Sequence, residues 1–519
     1  MSTSPQIRLA TAVLAVGGGL LTNAACPDLS WWAAAFPGVA LLVLALEPDS
    51  ARWGFVTGTL FGLGFFLPHL IWADSAVGWI PWVALSLVQA LFCGALGIAW
   101  VWARRLPAVW RSPWFRSIVF AVLWVAFEYG RSIWPFGGFP WGRLATSQAD
   151  SPLARLAWLG GVPLVSGAAA WAGALLAQAV IALRRWRIGR ASGLVLGVAA
   201  LIVAALFVPL DTRAESGSLA VGAVQGNVPV PGLDAFAQQR QVLHNHALGT
   251  RALAERPNPT PLDLVLWPEN GSDIDPRTDT AAATEIDAAA ATVGAPILVG
   301  TIEYPSTGGR YNTSLLWEPG QGSVAVYRKQ HPVPFAEYIP MRAFARTFSH
   351  EVDRVNTDMI AGHGVGLIEV PVPRLNRNVP IGDVICFEVS YDDLVLDSVL
   401  SGAEMLVVQT NNASFGRTAE STQQLALSRL RAIEFGRTTI QISTVGVSAV
   451  ITPSGHVVEQ TGLFTAEQLL AQAPLRTSIT PAAHLGPWLS WLFCGAAVVF
   501  LIAGFAGASR VRREDRVRD

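Results

Sequence analysis

The sequence predicts a multi-pass α-helical membrane bundle of about eight spans, joined to a water-exposed α/β domain. The chain of 519 residues is 52% hydrophobic and only 14% charged, whereas an ordinary globular domain is about a quarter charged. Apolar runs of the roughly 20 residues that a spanning helix needs cluster at the two ends of the chain. Between about Ser218 and His484 no such run occurs, and polar residues return at globular frequency.

Candidate spans precede and follow this central region. Those before it begin near Leu9, Trp31, Trp53, Trp79, Ser117, Gly161 and Ser192, and the one after it runs from Leu485 to Gly507. The predicted organisation is a membrane bundle over residues 1–212, a globular domain over 213–484, and a closing span with a basic tail over 485–519. A cleaved signal peptide, or a lipoprotein signal ending at Cys26, is the alternative interpretation of the first run.

The distribution of arginine predicts the orientation of the chain, because cytoplasmic loops are enriched in basic residues. Arginines cluster after the fourth span (Arg104, Arg105, Arg111, Arg116), after the sixth (Arg184, Arg185, Arg187, Arg190) and in the tail (Arg510, Arg512, Arg513, Arg516, Arg518). Alternating spans place these clusters and both termini in the cytoplasm, with the large domain outside it. The net charge of -1 gives no information about a nucleic-acid partner. No basic stripe occurs outside these loops, where arginine is more simply a topology signal, so no nucleic-acid partner is expected.

Within the central domain, short β-branched and apolar runs alternate with helical patterns, which is typical of layered α/β structure. The predicted strands cover Leu219–Val224, Leu262–Trp267, Pro296–Ile302, Ser314–Trp317, Val324–Tyr327, Gly382–Cys386, Met405–Gln409 and Ile440–Val450. The predicted helices cover Asp234–Glu255, Ala281–Val293, Ser390–Leu400 and Ala419–Phe435. The pattern indicates stacked layers around sheets without specifying their topology.

Two acidic residues and one lysine stand at or soon after the ends of predicted strands, where active sites are common. Glu269 follows a buried-strand run and Pro268, although a solvated loop acid is the simpler explanation for a single such Glu. Lys329 follows another strand, and the Pro-rich aromatic segment after it would hold Glu337 near its ammonium group.

Cys386 gives the third signal, since it lies between a strand and a helical pattern that starts at about Ser390. A helix dipole and free amides stabilise a thiolate at such a position, whereas a buried structural cysteine is the alternative. Cys26, Cys93 and Cys494 lie in or beside apolar spans. The sequence has no CxxC or HExxH spacing that would predict a metal site.

Together these residues supply a base, a cation and a soft nucleophile, which are the groups needed to transfer an acyl group through a thioester. They stand in the segments LWPEN, YRKQHPVPFAEYIP and GDVICFE. In this order the segments resemble the three catalytic signatures of the carbon-nitrogen hydrolase (nitrilase) superfamily, and the resemblance extends from Ser218 to about Val458. It implies an αββα sandwich.

The resemblance also implies the roles of individual residues. Glu269 would be the general base, Lys329 would stabilise the tetrahedral oxyanion, and Cys386 would be acylated. Glu337 would orient Lys329 and the substrate, and Glu388 would be a supporting acid beside the nucleophile.

With spans on both sides, the chain is similar to the membrane-embedded acyltransferases of this superfamily, which act in the bacterial inner membrane. That similarity implies a ping-pong reaction without a cofactor. A phospholipid would donate the acyl chain, and the α-amino group of a diacylglyceryl cysteine on an apolipoprotein would accept it. A membrane-anchored amidase or nitrilase that uses water, a non-catalytic membrane scaffold, and a transporter are the alternatives.

Several positions bear on substrate binding or depart from the family pattern. Asn412 lies in a matching Gln-Thr-Asn-Asn segment, whereas Phe387 stands where many members have Tyr. Ser414 stands where a Trp often precedes Phe-Gly, and the Trp often found after the first strand is missing, with Phe236 the nearest aromatic residue. Glu128 is a separate functional candidate, because a carboxylate within a span is costly.

Overall fold

The computed structural model describes residues 4–228, 240–258, 260–348 and 350–518. The chain folds into two compact units. The first comprises Met1–Ile71, Trp82–Pro209 and Leu485–Asp519, and the second comprises Trp72–Pro81 and Leu210–His484. The short segment Trp72–Pro81, which includes the predicted start of the fourth span near Trp79, therefore belongs to the unit that contains the α/β domain.

Helices make up the N-terminal part of the chain. They are α1 (Pro5–Ala24), α2 (Ala35–Ala45), α3 (Ala51–His69), α4 (Trp72–Val77), α5 (Trp79–Ala103), α6 (Pro107–Arg111), α7 (Pro113–Ile133), α8 (Ala157–Arg184) and α9 (Ile188–Leu206). Short 3-10 turns at Trp32–Ala34, Leu144–Gln148 and Pro152–Leu156 connect some of them. The α8 segment is kinked at Gly160 and Gly161, where the backbone leaves helical geometry.

Serine caps and glycine contacts explain how these helices begin and pack. The hydroxyls of Ser4, Ser50 and Ser112 accept hydrogen bonds from the first turns of α1, α3 and α7, which satisfies backbone amides that have no helical partner. A Cβ atom at Gly58 would lie 2.2 Å from the carbonyl oxygen of Cys93. Helices α3 and α5 can therefore approach this closely only because residue 58 has no side chain, as is common between membrane helices.

The second unit contains twelve strands and further helices among the described residues. The strands are β1 (Ser218–Gln225), β2 (Leu264–Leu266), β3 (Ile297–Glu303), β4 (Tyr311–Glu318), β5 (Gly322–Arg328), β6 (Leu367–Val372), β7 (Arg377–Ile385), β8 (Met405–Thr410), β9 (Thr438–Ser443), β10 (Ala449–Ile451), β11 (Val457–Gln460) and β12 (Glu467–Pro474). The helices are α10 (Gln241–Ala254), α11 (Thr280–Val293), α12 (Arg342–Arg346), α13 (Asp392–Leu400), α14 (Glu420–Phe435) and α15 (Pro481–Leu485), after which α16 (Trp488–Arg518) returns to the first unit.

These strands form two six-stranded sheets, with the orders β12-β1-β2-β3-β4-β5 and β11-β10-β9-β8-β7-β6. Each sheet has a parallel centre, β1-β2-β3 in one and β7-β8-β9 in the other. The remaining neighbours pair antiparallel.

The two sheets pack face to face with helices outside them. Their common core is apolar and includes Leu219, Val221, Leu264, Leu266, Leu298, Ile381, Ile385, Met405, Val407, Ile440 and Ile442. Helices α10 and α11 cover the first sheet, and α13 and α14 contact the second. This is the four-layer αββα arrangement that the family resemblance implies, and the two-sheet α/β prediction is confirmed.

Helix length and composition support a membrane unit without establishing the predicted number of spans. Five helical segments within the described residues are long and apolar enough to cross a membrane: Pro5–Ala24, Trp79–Ala103, Pro152–Arg184, Ile188–Leu206 and Trp488–Ala506. Each of the eight predicted runs falls on a helix. However, the apolar helix at Trp32–Ala45 is shorter, and α7 carries Arg116, Glu128 and Arg131.

The strand predictions differ from the structure in two ways. The run Ile440–Val450 is not one strand, because β9 ends at Ser443 and a turn precedes β10. Strands β6, β11 and β12 were not predicted. Most residues of β11 and β12 are partly buried or exposed rather than buried, which explains why their apolar signal is weak. The predicted helix Asp234–Glu255 is observed from Gln241, while residues 229–239, including Phe236, lie outside the described residues.

Candidate active site

Three strand ends bring the predicted catalytic residues together. Glu269 follows β2, Lys329 follows β5, and Cys386 follows β7. The Nζ atom of Lys329 lies 3.5 Å from Oε1 of Glu269, and Cys386 is near enough to the same carboxyl group for each of the two to affect the other's pKa. Because β2 and β5 belong to one sheet and β7 to the other, the cluster lies where the carboxyl ends of strands from both sheets meet.

Glu269 is held in a buried position by its neighbours. The Nδ2 atom of Asn312, on β4, donates to its Oε1, and Thr444 donates to its main-chain oxygen. A Cβ atom at Gly300 would lie 2.3 Å from the carbonyl oxygen of Pro268, so β3 can approach this turn only because residue 300 is glycine. Burial raises the pKa of Glu269, and the charge of Lys329 partly opposes that rise.

Lys329 is enclosed by the domain, and its side chain has no exposed surface. Its Nζ atom lies 2.7 Å from Oε1 of Glu337, in addition to its longer contact with Glu269. Burial by itself lowers the pKa of Lys329, but the carboxylates of Glu337 and Glu269 outweigh burial and raise that pKa above its ordinary value. The side chain therefore carries a fixed positive charge at neutral pH.

Glu337 joins this lysine to the loop that follows β5. One of its carboxylate oxygens accepts from Lys329, and the other accepts from the backbone nitrogen of Val333 at 2.7 Å. The hydrogen bond from Val333 thus holds the Glu337 carboxylate in the position from which it contacts Lys329.

Cys386 occupies a strained turn. Its φ angle is +57°, a left-handed conformation that is uncommon for residues other than glycine. A 3-10 helix spans Cys386–Ser390, and α13 begins only at Asp392, so the cysteine does not lie at the start of an α-helix. Stabilisation of the thiolate by a helix end was expected. Instead, burial first and the charge of Glu269 second raise the pKa of Cys386 well above its ordinary value. The resting group is the thiol.

Glu388 ties the turn of Cys386 to the loop of Lys329. This fully buried carboxyl group accepts from the backbone nitrogens of Gln330 at 2.6 Å, His331 at 3.1 Å and Ile385 at 2.9 Å. The Tyr327 hydroxyl also donates to it. Glu388 thus fixes the two segments relative to each other. Burial raises the pKa of Glu388, and the positive charge of Lys329 partly opposes that rise.

The structure places the other predicted binding residues around this cluster. Phe387 is buried and packs edge-on against Tyr391, with ring centroids 5.8 Å apart. Asn412 is buried and donates to Glu420 at 2.6 Å, which makes it part of a polar network. Ser414 lies in the 3-10 turn Ala413–Phe415 and is partly exposed.

Four further residues near the site were not predicted. Asn312 and Thr410 contact the cluster directly, and Glu420 is connected to it through Asn412 and Thr410. The Trp72 indole donates to Gln423 at 3.1 Å and packs edge-on against Phe415, with ring centroids 5.2 Å apart. Thr410 lies on β8 and Glu420 on α14, and only the packing of these elements beside β7 brings the two residues near the site. Trp72 was missed because the sequence assigns its segment to the membrane bundle.

Glu128 has a structural explanation within the first unit. It is buried, and its Oε1 accepts from the backbone nitrogen of Leu144 at 2.7 Å and from the Trp124 indole at 3.3 Å. Arg131, one turn along α7, donates to the carbonyl oxygens of Phe139 and Trp141. Both charged groups therefore hold the loop after α7 in place.

No group of three or more His, Cys, Asp or Glu side chains suited to a metal ion occurs in the part of the chain that the structure describes. The chemical groups of the site are thus a carboxyl group, a buried ammonium group and a thiol. They suit acyl transfer through a thioester.

Comparison with known proteins gives consistent matches along the chain. Residues 18–175 match the family model of the apolipoprotein N-acyltransferase N-terminal domain, and residues 220–480 match that of carbon-nitrogen hydrolases. Among similar curated proteins, the apolipoprotein N-acyltransferase of Mycolicibacterium smegmatis is 39% identical over 95% of this chain and 85% of its own length. Those of Azotobacter vinelandii and Pseudomonas syringae are 31% and 29% identical, over 94% and 95% of this chain and 93% and 96% of their own lengths.

Proposed function

Because the chain belongs to the apolipoprotein N-acyltransferase family, we propose that it transfers an acyl chain from a membrane phospholipid to a lipoprotein. The acceptor is the α-amino group of the N-terminal diacylglyceryl cysteine. The observation that carries this proposal at atomic scale is the buried cluster in which Glu269 lies 3.5 Å from Lys329 and close enough to Cys386 to affect its pKa.

In the first half-reaction, Glu269 takes the proton of the Cys386 thiol and the sulfur attacks the ester carbonyl of the phospholipid. The ammonium group of Lys329 stabilises the negative oxygen of the tetrahedral intermediate, and Glu337 keeps Lys329 oriented. When the intermediate collapses, the carbon–oxygen ester bond breaks. The departing lysophospholipid takes the proton back from Glu269, which leaves an acyl thioester on Cys386.

In the second half-reaction, the α-amino group of the acceptor attacks the thioester. Glu269 accepts a proton from the attacking nitrogen, Lys329 again stabilises the oxyanion, and the carbon–sulfur bond breaks. The sulfur leaves as a thiolate and recovers the proton from Glu269. The products are an amide on the lipoprotein and the free thiol, so a general base that takes and returns one proton serves both halves.

The membrane segments suit such substrates, because the donor and the acceptor are both held in a bilayer by acyl chains. We assign the protein to the bacterial inner membrane, with the α/β domain outside the cytoplasm. The basic loops and tail support that orientation.

Labelled phospholipid tests the proposed function directly. Wild-type protein should accumulate a labelled adduct on the peptide containing Cys386, and neutral hydroxylamine should remove it because it cleaves thioesters. Cys386→Ala should give no adduct. An adduct on another residue, or equal labelling of Cys386→Ala, would show that Cys386 is not the acylated group.

The acceptor separates acyl transfer from hydrolysis by an amidase of the same fold. Lipoproteins from cells that lack this gene should carry diacylated N-termini, and the restored gene should return triacylated ones. Unchanged triacylation in the deletion strain would refute N-acyl transfer as the function of this chain.

A further inference from the structure

A chain of buried side chains connects the sulfur of Cys386 to a carboxyl group that the proposed reaction does not use. Strands β7 and β8 are parallel, and Ile385 pairs with Gln409, so the next residues, Cys386 and Thr410, are also neighbours. Thr410 Oγ1 lies 3.4 Å from Cys386 Sγ. Asn412 Nδ2 lies 3.4 Å from this hydroxyl.

The chain ends at Glu420 in the first turn of α14. Its Oε2 accepts from Asn412 Nδ2 at 2.6 Å, and Ser443 donates to Asn412 Oδ1 at 2.5 Å. Because the oxygen of Asn412 is occupied by a donor, its amide nitrogen must face the carboxyl group. Thr410, Asn412 and Glu420 are all buried, so these contacts are not exchanged freely with water.

The hydroxyl of Thr410 has two possible acceptors for its single proton. Oε1 of Gln424 lies 2.9 Å away and Cys386 Sγ lies 3.4 Å away. A neutral thiol is a weak acceptor, so the proton points to Gln424 at rest. Once the sulfur is ionised, a charge-assisted hydrogen bond to it is stronger. Of the two hydrogens on Asn412 Nδ2, one binds Glu420 and the other is shared between Gln424 Oε1 at 3.0 Å and the Thr410 hydroxyl oxygen at 3.4 Å.

We propose that Thr410 is the hydrogen-bond donor that stabilises the Cys386 thiolate, and that Glu420 is a positioning residue that holds this hydroxyl in place through Asn412. This inference rests on the proposed function, since a thiolate forms during acylation and again when the acceptor releases the sulfur. Thr410 keeps its proton throughout, because the transferred proton moves between the substrate groups, Cys386 and Glu269.

Electrostatic effects agree with a positioning role for Glu420 at neutral pH. Burial raises the pKa of Glu420 to about 8, with the Asn412 hydrogen bond lowering it and Glu269 raising it. The carboxyl group is therefore mostly neutral at pH 7 and acts there as a hydrogen-bond acceptor. If it were ionised, its charge would raise the pKa of Cys386 and oppose the thiolate, whereas the Thr410 hydrogen bond lowers that pKa.

The test for Thr410 is the rate at which iodoacetamide alkylates Cys386 between pH 7 and pH 10, followed by mass spectrometry of the peptide that contains it. Thr410→Val should raise the thiol pKa by about one unit, since a hydrogen bond to a charged group is worth about that much. Alkylation should then be about three- to tenfold slower, because a more basic thiolate is also more nucleophilic. Thr410→Ser should restore the wild-type rate.

A matched control is Thr438→Val, which removes a buried hydroxyl at the opposite end of the β8–β9 pairing. It should leave the rate unchanged. A Thr410→Val profile that coincides with the wild-type profile would overturn the inference.

Two variants of Glu420 separate positioning from charge. Glu420→Gln keeps an acceptor for Asn412 and should leave alkylation at pH 7 near the wild-type rate, whereas Glu420→Ala should slow it as Thr410→Val does. Faster alkylation in both variants would mean that Glu420 acts through its charge, which contradicts positioning. If the wild type forms the acyl adduct but none of these variants shifts the profile, the inference fails while the proposed function stands; if no adduct forms, the proposed function fails first.

Discussion

Burial sets the protonation states of the side chains around Cys386. It raises the pKa of the cysteine and of Glu269, while two carboxylates keep Lys329 charged. The resting thiol is therefore protonated, and in the proposed reaction it ionises only when Glu269 removes its proton. A protonated resting thiol would suit the proposed location outside the cytoplasm, because the thiolate is the form of cysteine that is oxidised.

The pH dependence of acyl-enzyme formation tests the base. Glu269 must be ionised to accept the thiol proton, and burial raises its pKa, so the rate should fall with acidification at a pH above 4.5, the ordinary value for Glu. Glu269→Gln should remove this acid limb and lower the rate by about 10²- to 10⁴-fold, the usual contribution of a general base. Single-turnover labelling with phospholipid measures both effects.

Glu285→Gln is a matched control, because Glu285 lies on α11 and pairs with His244. It should keep the wild-type rate and pH profile. A Glu269→Gln variant that retains the wild-type acid limb would exclude Glu269 as the base.

At this scale, the sequence predicted residues that follow strands within recognisable segments. Glu269, Lys329, Glu337 and Cys386 stand in such segments, and the structure brings them together. The expected helix-dipole activation of Cys386 was wrong, because a 3-10 turn separates it from α13. Burial of a thiol and the contacts of Thr410 depend on tertiary packing, which local sequence does not record.

At the scale of elements, the site depends on turns that are tied to one another by buried hydrogen bonds. The turn after β7 and the loop after β5 meet at Glu388, and the loop closes on itself through Glu337 and Val333. Each turn would otherwise be free to move away from the other. The geometry of acyl transfer therefore rests on a residue that need not touch the substrate.

Replacing Glu388 tests this connection. Glu388→Gln puts an amide nitrogen where a carboxylate oxygen accepts backbone donors, and leaving a buried donor without an acceptor costs about 1–3 kcal/mol. We expect a lower thermal unfolding temperature together with slower acyl-enzyme formation. Tyr327→Phe removes only one donor to the same group and should cost about 1 kcal/mol.

Thermal unfolding and single-turnover labelling of the two purified variants give the comparison. Wild-type stability and rate in Glu388→Gln would show that the turns hold their positions without this carboxyl group.

Element prediction succeeded where strands are buried and helices are amphipathic. The central strands β1, β3 and β8 were predicted within a few residues, because burial on both faces produces uninterrupted apolar runs. Strand β11 alternates between partly buried and exposed positions, and most residues of β12 are only partly buried, so neither strand has a long apolar run in the sequence. The order of strands within each sheet depends on long-range pairing and could not be predicted.

For the whole molecule, the sequence and the structure divide the chain in similar places but differ at Trp72–Pro81. Composition identified the polar region and the apolar ends, since the bilayer demands long apolar helices. The segment between α3 and α5 belongs to the α/β unit, and its Trp72 contacts Phe415 and Gln423. A contact between residues so far apart in sequence leaves no local pattern.

The proposed orientation of the chain leads to a prediction for single-cysteine labelling. Gln321→Cys lies in the exposed turn between β4 and β5. It should react with a membrane-impermeant maleimide in spheroplasts, which lack the cell wall but keep an intact inner membrane. Arg187→Cys, exposed between α8 and α9, should react only after the inner membrane is permeabilised. The reverse pattern would place the α/β domain in the cytoplasm and contradict the proposed orientation.

The central claim is that an acyl thioester on Cys386 is resolved by an amine rather than by water, and a chase of the preformed acyl-enzyme tests it most directly. Labelled acyl-enzyme is freed of phospholipid and mixed with a diacylglyceryl lipopeptide, and a lipopeptide with an acetylated α-amino group serves as the control. The label should leave Cys386 and appear as an amide on the free-amine lipopeptide, with little released fatty acid, while the acetylated lipopeptide should leave the thioester intact. Release of the label as free fatty acid at the same rate with either peptide would contradict the account.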